Sequence, residues 1–162
     1  YFNVKFNMVY FILIANAVIF TGIRGIYPVT EGDKKCMYSR IPPIVTRSCA
    51  TIAEISFGAF FVLMTMNILK FIQKQKKNNT LNTLEKLCYF FVFLPIIANM
   101  NCWMGVSTNF NLFNSIEESL WTLYAVFLII SYMLIMNNIN NKIKNFNLIR
   151  NISVITIILL II

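Results

Sequence analysis

Apolar positions in this chain come in long blocks separated by short polar stretches. The first runs roughly from Phe6 to Ile23 and is interrupted only by Asn7 and Asn16. Further blocks cover about 45–72, 84–100 and 119–136, and a shorter one, 151–162, closes the sequence. Each of the first four holds about 17–20 residues or more, the length a tilted helix needs to cross roughly 30 Å of hydrocarbon. The blocks lack the period-two alternation of a membrane barrel, and backbone groups in lipid must bond within their own segment. The pattern therefore predicts an all-α fold: a polytopic transmembrane helix bundle in a single domain, with four complete spans. The last run, Ile152–Ile162, reaches only about 16 Å as helix, so it reads as a fifth span that continues beyond this fragment. The first block carries charge only at Lys5 and lacks a small-residue cleavage site, so it reads as a retained helix rather than a signal peptide.

Composition sharpens the class. Of 162 residues, 58% are hydrophobic and 12% charged, about half the usual charge of a soluble domain. Mean hydropathy is +0.69. Such a chain cannot cover a globule with wetted surface, and the same numbers exclude disorder. The chain has no histidine, which removes Ser–His–Asp catalysis and His-ligated metal from this stretch. With five glycines, no GxGxxG and no CxxC, neither a cofactor nor a metal is expected.

The net charge of +8 lies at the ends of the blocks. Nine cations, among them Lys5, Lys70, Lys74, Lys76, Lys77 and Lys86, fall on one side by parity; five, Arg24, Lys34, Lys35, Arg40 and Arg47, fall on the other. The positive-inside rule then places the N-terminus in the cytoplasm. Charge that flanks helix ends is topological, so nucleic acid is not a partner; the inner lysines meet anionic lipid.

Five of the six acids share the outer side with five cations. In Arg47-Ser48-Cys49-Ala50-Thr51-Ile52-Ala53-Glu54, residues 47, 51 and 54 fall on one helix face, and Gly58 extends it. An ionisable group at the edge of an apolar helix usually faces the bundle interior and marks a site. A second element, Ser115-Ile116-Glu117-Glu118, has capping-box spacing, which occupies one glutamate and leaves the other to turn inward. Arg24, Arg47, Thr51, Glu54, Glu117 and Glu118, with Asn99 and Asn101 closing the third span, are the candidate ligand- or proton-binding set. Three carboxylates exceed what packing requires, which favours a binding role over a purely structural network. Trp103 and Trp121 fall at the same boundary, as interface anchors.

The stretches Arg47-Ser48-x-Ala50-Thr51-x-Ala53-Glu54 and Glu117-Glu118-Ser119-Leu120-Trp121 resemble motifs in a group of uncharacterised bacterial polytopic membrane proteins, as does Asn101-Cys102-Trp103-x-Gly105-Val106. The resemblance implies no activity, and a bacterial inner membrane as location. Cys36 and Cys102 lie on the outer side, where a disulfide is chemically allowed. The loop Arg24–Pro43 reads as a connection or a lid, and Pro95 as a kink five residues before the outer end of span three. Three function classes follow. The leading one is solute or ion/proton binding and transport. The others are a non-catalytic subunit held to other membrane subunits by ion pairs, and a membrane-embedded enzyme using glutamate acid–base groups.

Overall fold

The computed structural model describes residues 8–26, 43–75, 78–108, 110–139 and 146–161. Among these residues every regular element is a helix: α1 (Met8–Ile26), α2 (Pro43–Gln75), α3 (Asn79–Phe91), α4 (Leu94–Thr108), α5 (Asn111–Asn138) and α6 (Phe146–Ile161). The helices run past the apolar blocks at most ends. Polar residues such as Lys74 and Asn138 continue the backbone ladder beyond the apolar stretch at no cost. Three stretches are long and apolar enough to cross a membrane: Ile44–Gln75, Asn79–Thr108 and Asn111–Asn138. Met8–Ile23 and Phe146–Ile158 are shorter apolar helices. Only half of the apolar window of α2, and a third of those in α3–α4 and α5, is buried by protein. Large side chains such as Phe90, Phe93, Met100, Leu123 and Ile130 point outward. In water such a surface would aggregate, so these helices suggest a membrane protein.

The third block differs from its expected form. Its helix does not end near residue 100; it runs from Asn79 to Thr108 and is broken at Val92–Phe93. Pro95 lies just after the break, in the first turn of α4, rather than near the end of the span. The cause is steric and electronic. Pro95 has no N–H to offer the Phe91 carbonyl, and its ring presses on that turn. The chain tightens there: Phe93 N–H donates to Phe90 O at 3.2 Å, and the Ile96 and Ile97 N–H groups both reach Phe93 O at 3.1 Å.

The described residues fall into two compact units, one up to Phe60 and one from Phe61 on. In the first, the Tyr10 ring of α1 meets Phe60 of α2 edge-on, centroids 6.0 Å apart. In the second, α5 is the central helix. α4 and α6 pack along it, and Phe91 of α3 stacks on Phe127 at 3.7 Å. On the α2 side, the Thr65 hydroxyl donates to Phe61 O at 2.8 Å and lies 3.2 Å from the Tyr132 hydroxyl in a second hydrogen bond. Leu69, Ile72, Cys88, Leu128, Tyr132, Ile135 and Ile149 are fully enclosed. Buried hydroxyls are satisfied locally: Ser131 donates to Phe127 O at 2.7 Å and Ser153 to Ile149 O at 2.9 Å. That arrangement is what an apolar solvent demands of a polar side chain on a helix.

Gly105 sets the approach of α4 to α5. A Cβ at this position would overlap the Asn114 carboxamide oxygen and come within 3.4 Å of Phe113 Cβ. Asn114 is exposed and free to swing aside, but the Phe113 Cβ is tied to the backbone. Gly105→Ala is therefore expected to be mild. Gly105→Leu is expected to cost about 1–3 kcal/mol by forcing the hairpin apart. Thermal unfolding of the purified protein in detergent checks the difference; equal stability of both variants would contradict it.

Candidate functional site

The predicted site residues are distributed over both units. Arg47, Thr51 and Glu54 lie on α2 in the first unit, each half-buried, beside a face of small or short side chains in which Thr46, Ala50, Ala53 and Ser56 are buried. Arg47 Nε and Glu54 Oε2 are both screened from solvent. Both charged groups belong to one apolar helix, seven positions apart, which is about 10 Å and nearly two turns. The Ser48 hydroxyl returns to Ile44 O at 2.8 Å and so takes no part in that face. Arg24 lies on α1, but its side chain is outside the described residues. So are Cys36, its expected pairing with Cys102, and most of the loop Arg24–Pro43; Cys102 itself is buried on α4.

In the second unit the α4–α5 hairpin has a register that can be read from Gly105 lying against Asn114. Counting away from that contact along the two antiparallel helices puts Asn101 and Cys102 level with Glu118 and Glu117. Asn101 donates to Ile97 O at 2.9 Å. Glu117 is half-buried and Glu118 exposed, so the two acids do point differently, as their 100° separation requires. Asn99 does not close its helix; it sits within α4, 2% exposed. Its Nδ2 donates to Pro95 O at 3.0 Å, while Oδ1 is buried without a hydrogen bond. Trp103 and Trp121 are half-buried, and Trp121 meets Tyr124 edge-on at 5.8 Å.

The capping-box expectation at Ser115–Glu118 is corrected. Helix α5 begins at Asn111, with Phe110 at its N-cap and no side-chain cap bond. Ser115 is thus inside the helix, its hydroxyl 3.4 Å from Asn111 O. The short α4–α5 connection starts the helix a full turn before the capping signal, so neither glutamate is used as a cap. Both are left for other partners.

Sequence reading missed a different feature, a cavity of about 650 Å³ where α2 ends and α3 begins. Its walls are Lys70, Gln73, Lys74, Gln75, Asn78, Asn79, Asn82 and Glu85. Local capping builds it. The Asn78 side chain accepts from Thr80 N–H at 3.0 Å and so starts α3 immediately after α2. The same side chain donates through Nδ2 to Asn138 Oδ1 at 2.7 Å, and Asn138 Nδ2 donates to Leu134 O at 2.8 Å. The start of α3 is thereby stapled to the end of α5. Across the junction, Lys70 Nζ is 4.0 Å from Glu85 and 5.6 Å from the Tyr89 ring centre. The lysines read from sequence as topological signals. The only sequence cue was the i, i+4 spacing of Lys70 and Lys74 on one face, followed by the asparagine cap.

No family model, curated protein or solved structure matches this chain.

Proposed function

We propose that this is a multi-pass membrane protein, N-terminus in the cytoplasm of a bacterium and embedded in its inner membrane, that binds and transports a small solute or protons through the charged face of α2. The shorter apolar helices α1 and α6 are the first and last members of the span set, beside α2, α3–α4 and α5. The supporting observation is that Arg47 Nε and Glu54 Oε2 are both withdrawn from solvent on one apolar helix. A desolvated charge in lipid is retained when paired or when it serves a pathway. Asn101, Glu117 and Glu118, level with one another on α4 and α5, form a separate polar group within the second unit. Asn99, with its buried Oδ1, lies deeper along α4. Lipid surrounds the bundle, and further membrane subunits can join it.

A proton flux assay tests the binding role. Full-length protein in liposomes carrying an internal pH dye should dissipate an imposed pH gradient faster than empty liposomes. Glu54→Gln should slow that flux about tenfold or more, the loss expected when a proton-transfer group is removed. Wild-type flux no faster than empty liposomes would reject proton transport, and Glu54→Gln that unfolds without altering flux per folded molecule would leave a structural ion pair, the subunit reading.

Orientation has its own expected outcome. Lys77→Cys should resist a membrane-impermeant thiol reagent added to intact cells, while Thr108→Cys should react. Labelling of Lys77→Cys from outside would invert the topology.

A further inference from the structure

The cavity at the α2–α3 junction has a donor-rich wall that neither the span count nor the Arg47–Glu54 face uses. Two ammonium groups, Lys70 and Lys74, stand one turn apart on α2, and one carboxylate, Glu85, faces them from α3. The remaining wall residues are amides, and Gln73, between the two lysines, holds its Nε2 buried with no hydrogen-bond acceptor. A buried N–H without an acceptor costs about 1–3 kcal/mol, so a turn of this amide into the cavity that its residue lines, towards an acceptor from outside the chain, would be favoured. Asn79, the first residue of the 13-residue helix α3, also lines the cavity, which adds the positive end of that helix to the field.

We propose that this cavity binds an anionic phosphate group, carried either by the phosphodiester headgroup of an anionic lipid or by free phosphate. Charge decides the class. Among the described residues two lysines face one glutamate, which leaves that part of the wall net positive and suited to an anionic phosphate group. Geometry agrees. A phosphate offers several acceptor oxygens to converging donors, and ammonium, amide and helix N-terminal N–H groups together form such a set. The volume of about 650 Å³ lies inside the roughly 300–1,000 Å³ range of small-molecule sites, enough for a headgroup and its polar substituent. Lys74, in the last turn of α2, also offsets the negative end of that helix. That alone would not require the buried Gln73 amide beside it. The site is independent of the Arg47–Glu54 proposal, and either can fail without the other.

The test is binding to the full-length protein, purified in a neutral detergent and compared among single-residue variants. One arm follows phosphatidylglycerol retained from mixed phosphatidylcholine–phosphatidylglycerol micelles by native mass spectrometry; the other titrates inorganic phosphate calorimetrically. Lys74→Gln and Gln73→Leu should each weaken binding about tenfold, the loss expected for one charge-assisted or buried hydrogen bond. Lys74→Arg should bind like the wild type. Lys86→Gln removes the same charge from an exposed site on α3 outside the cavity and should change binding less than twofold. Saturable lipid binding without phosphate binding assigns the headgroup, and saturable phosphate binding assigns the free ion; either supports the site. Equal weakening by Lys86→Gln and Lys74→Gln would reduce the lysines to a diffuse basic face, and no saturable binding in either arm would overturn the proposal. Because Lys74 is exposed, its replacement leaves the packed core intact, so a loss of binding is read on folded protein.

Discussion

Arg47→Met is expected to lower stability by about 3–5 kcal/mol, because it strands the Glu54 carboxylate inside an apolar helix bundle. Part of the desolvation cost is already incurred by both half-buried groups: Arg47 Nε and Glu54 Oε2 have lost their water. Removing one charge forfeits the attraction and leaves the penalty on the other. Glu54→Gln alone is expected to cost less, since glutamine keeps the shape and guanidinium is more weakly hydrated than a carboxylate. The informative variant is the double one. Arg47→Met with Glu54→Gln should recover most of the loss, giving a coupling energy well above the few tenths that independent sites show. Unfolding equilibria of the four proteins in one detergent measure it. Strictly additive effects would mean that Arg47 and Glu54 serve different partners, and the charged face of α2 would then not act as a unit.

Leu128→Ala should be the second largest effect, about 2 kcal/mol. Leu128 is fully enclosed near the centre of α5, the helix on which α3, α4 and α6 pack. A soluble protein loses about 2.7–5 kcal/mol for such a truncation, part of it transfer energy and part cavity. In lipid the transfer part nearly vanishes, because the unfolded helix is already in an apolar solvent; the lost packing remains. Ile130→Ala is the control, on the same helix but 49% exposed. It should cost well under 1 kcal/mol, since lipid chains fill the space. Steric-trap or denaturant unfolding in bicelles compares the two. Similar costs would mean that α5 is not the central helix of its unit.

The two regions of interest were unequally legible. The Arg47–Glu54 face could be found from sequence because charge is conspicuous in an apolar helix and helical periodicity places residues 47, 51 and 54 on one side. The Glu117–Glu118 pair was found for the same reason, but its local role was misread. Capping-box spacing is a short-range signal, and the α4–α5 turn, whose approach is set by Gly105 against Asn114, started the helix one turn earlier. The α2–α3 cavity was barely legible, since lysines at a span end satisfy the topology rule whether or not they enclose anything.

What the sequence determined by itself is the class of molecule and the helices. Apolar blocks of spanning length favour helix, the form whose backbone bonds stay within one segment, and the low charge points to a membrane protein. These are one-dimensional properties, set by composition and spacing. Tertiary structure alone decided the rest: that α5 is the helix on which α3, α4 and α6 pack, and that Asn78 staples α3 to α5 through Asn138. Each depends on which faces meet. In an apolar solvent that choice is made by close packing and a few interhelical hydrogen bonds, which leave no periodic trace along the chain.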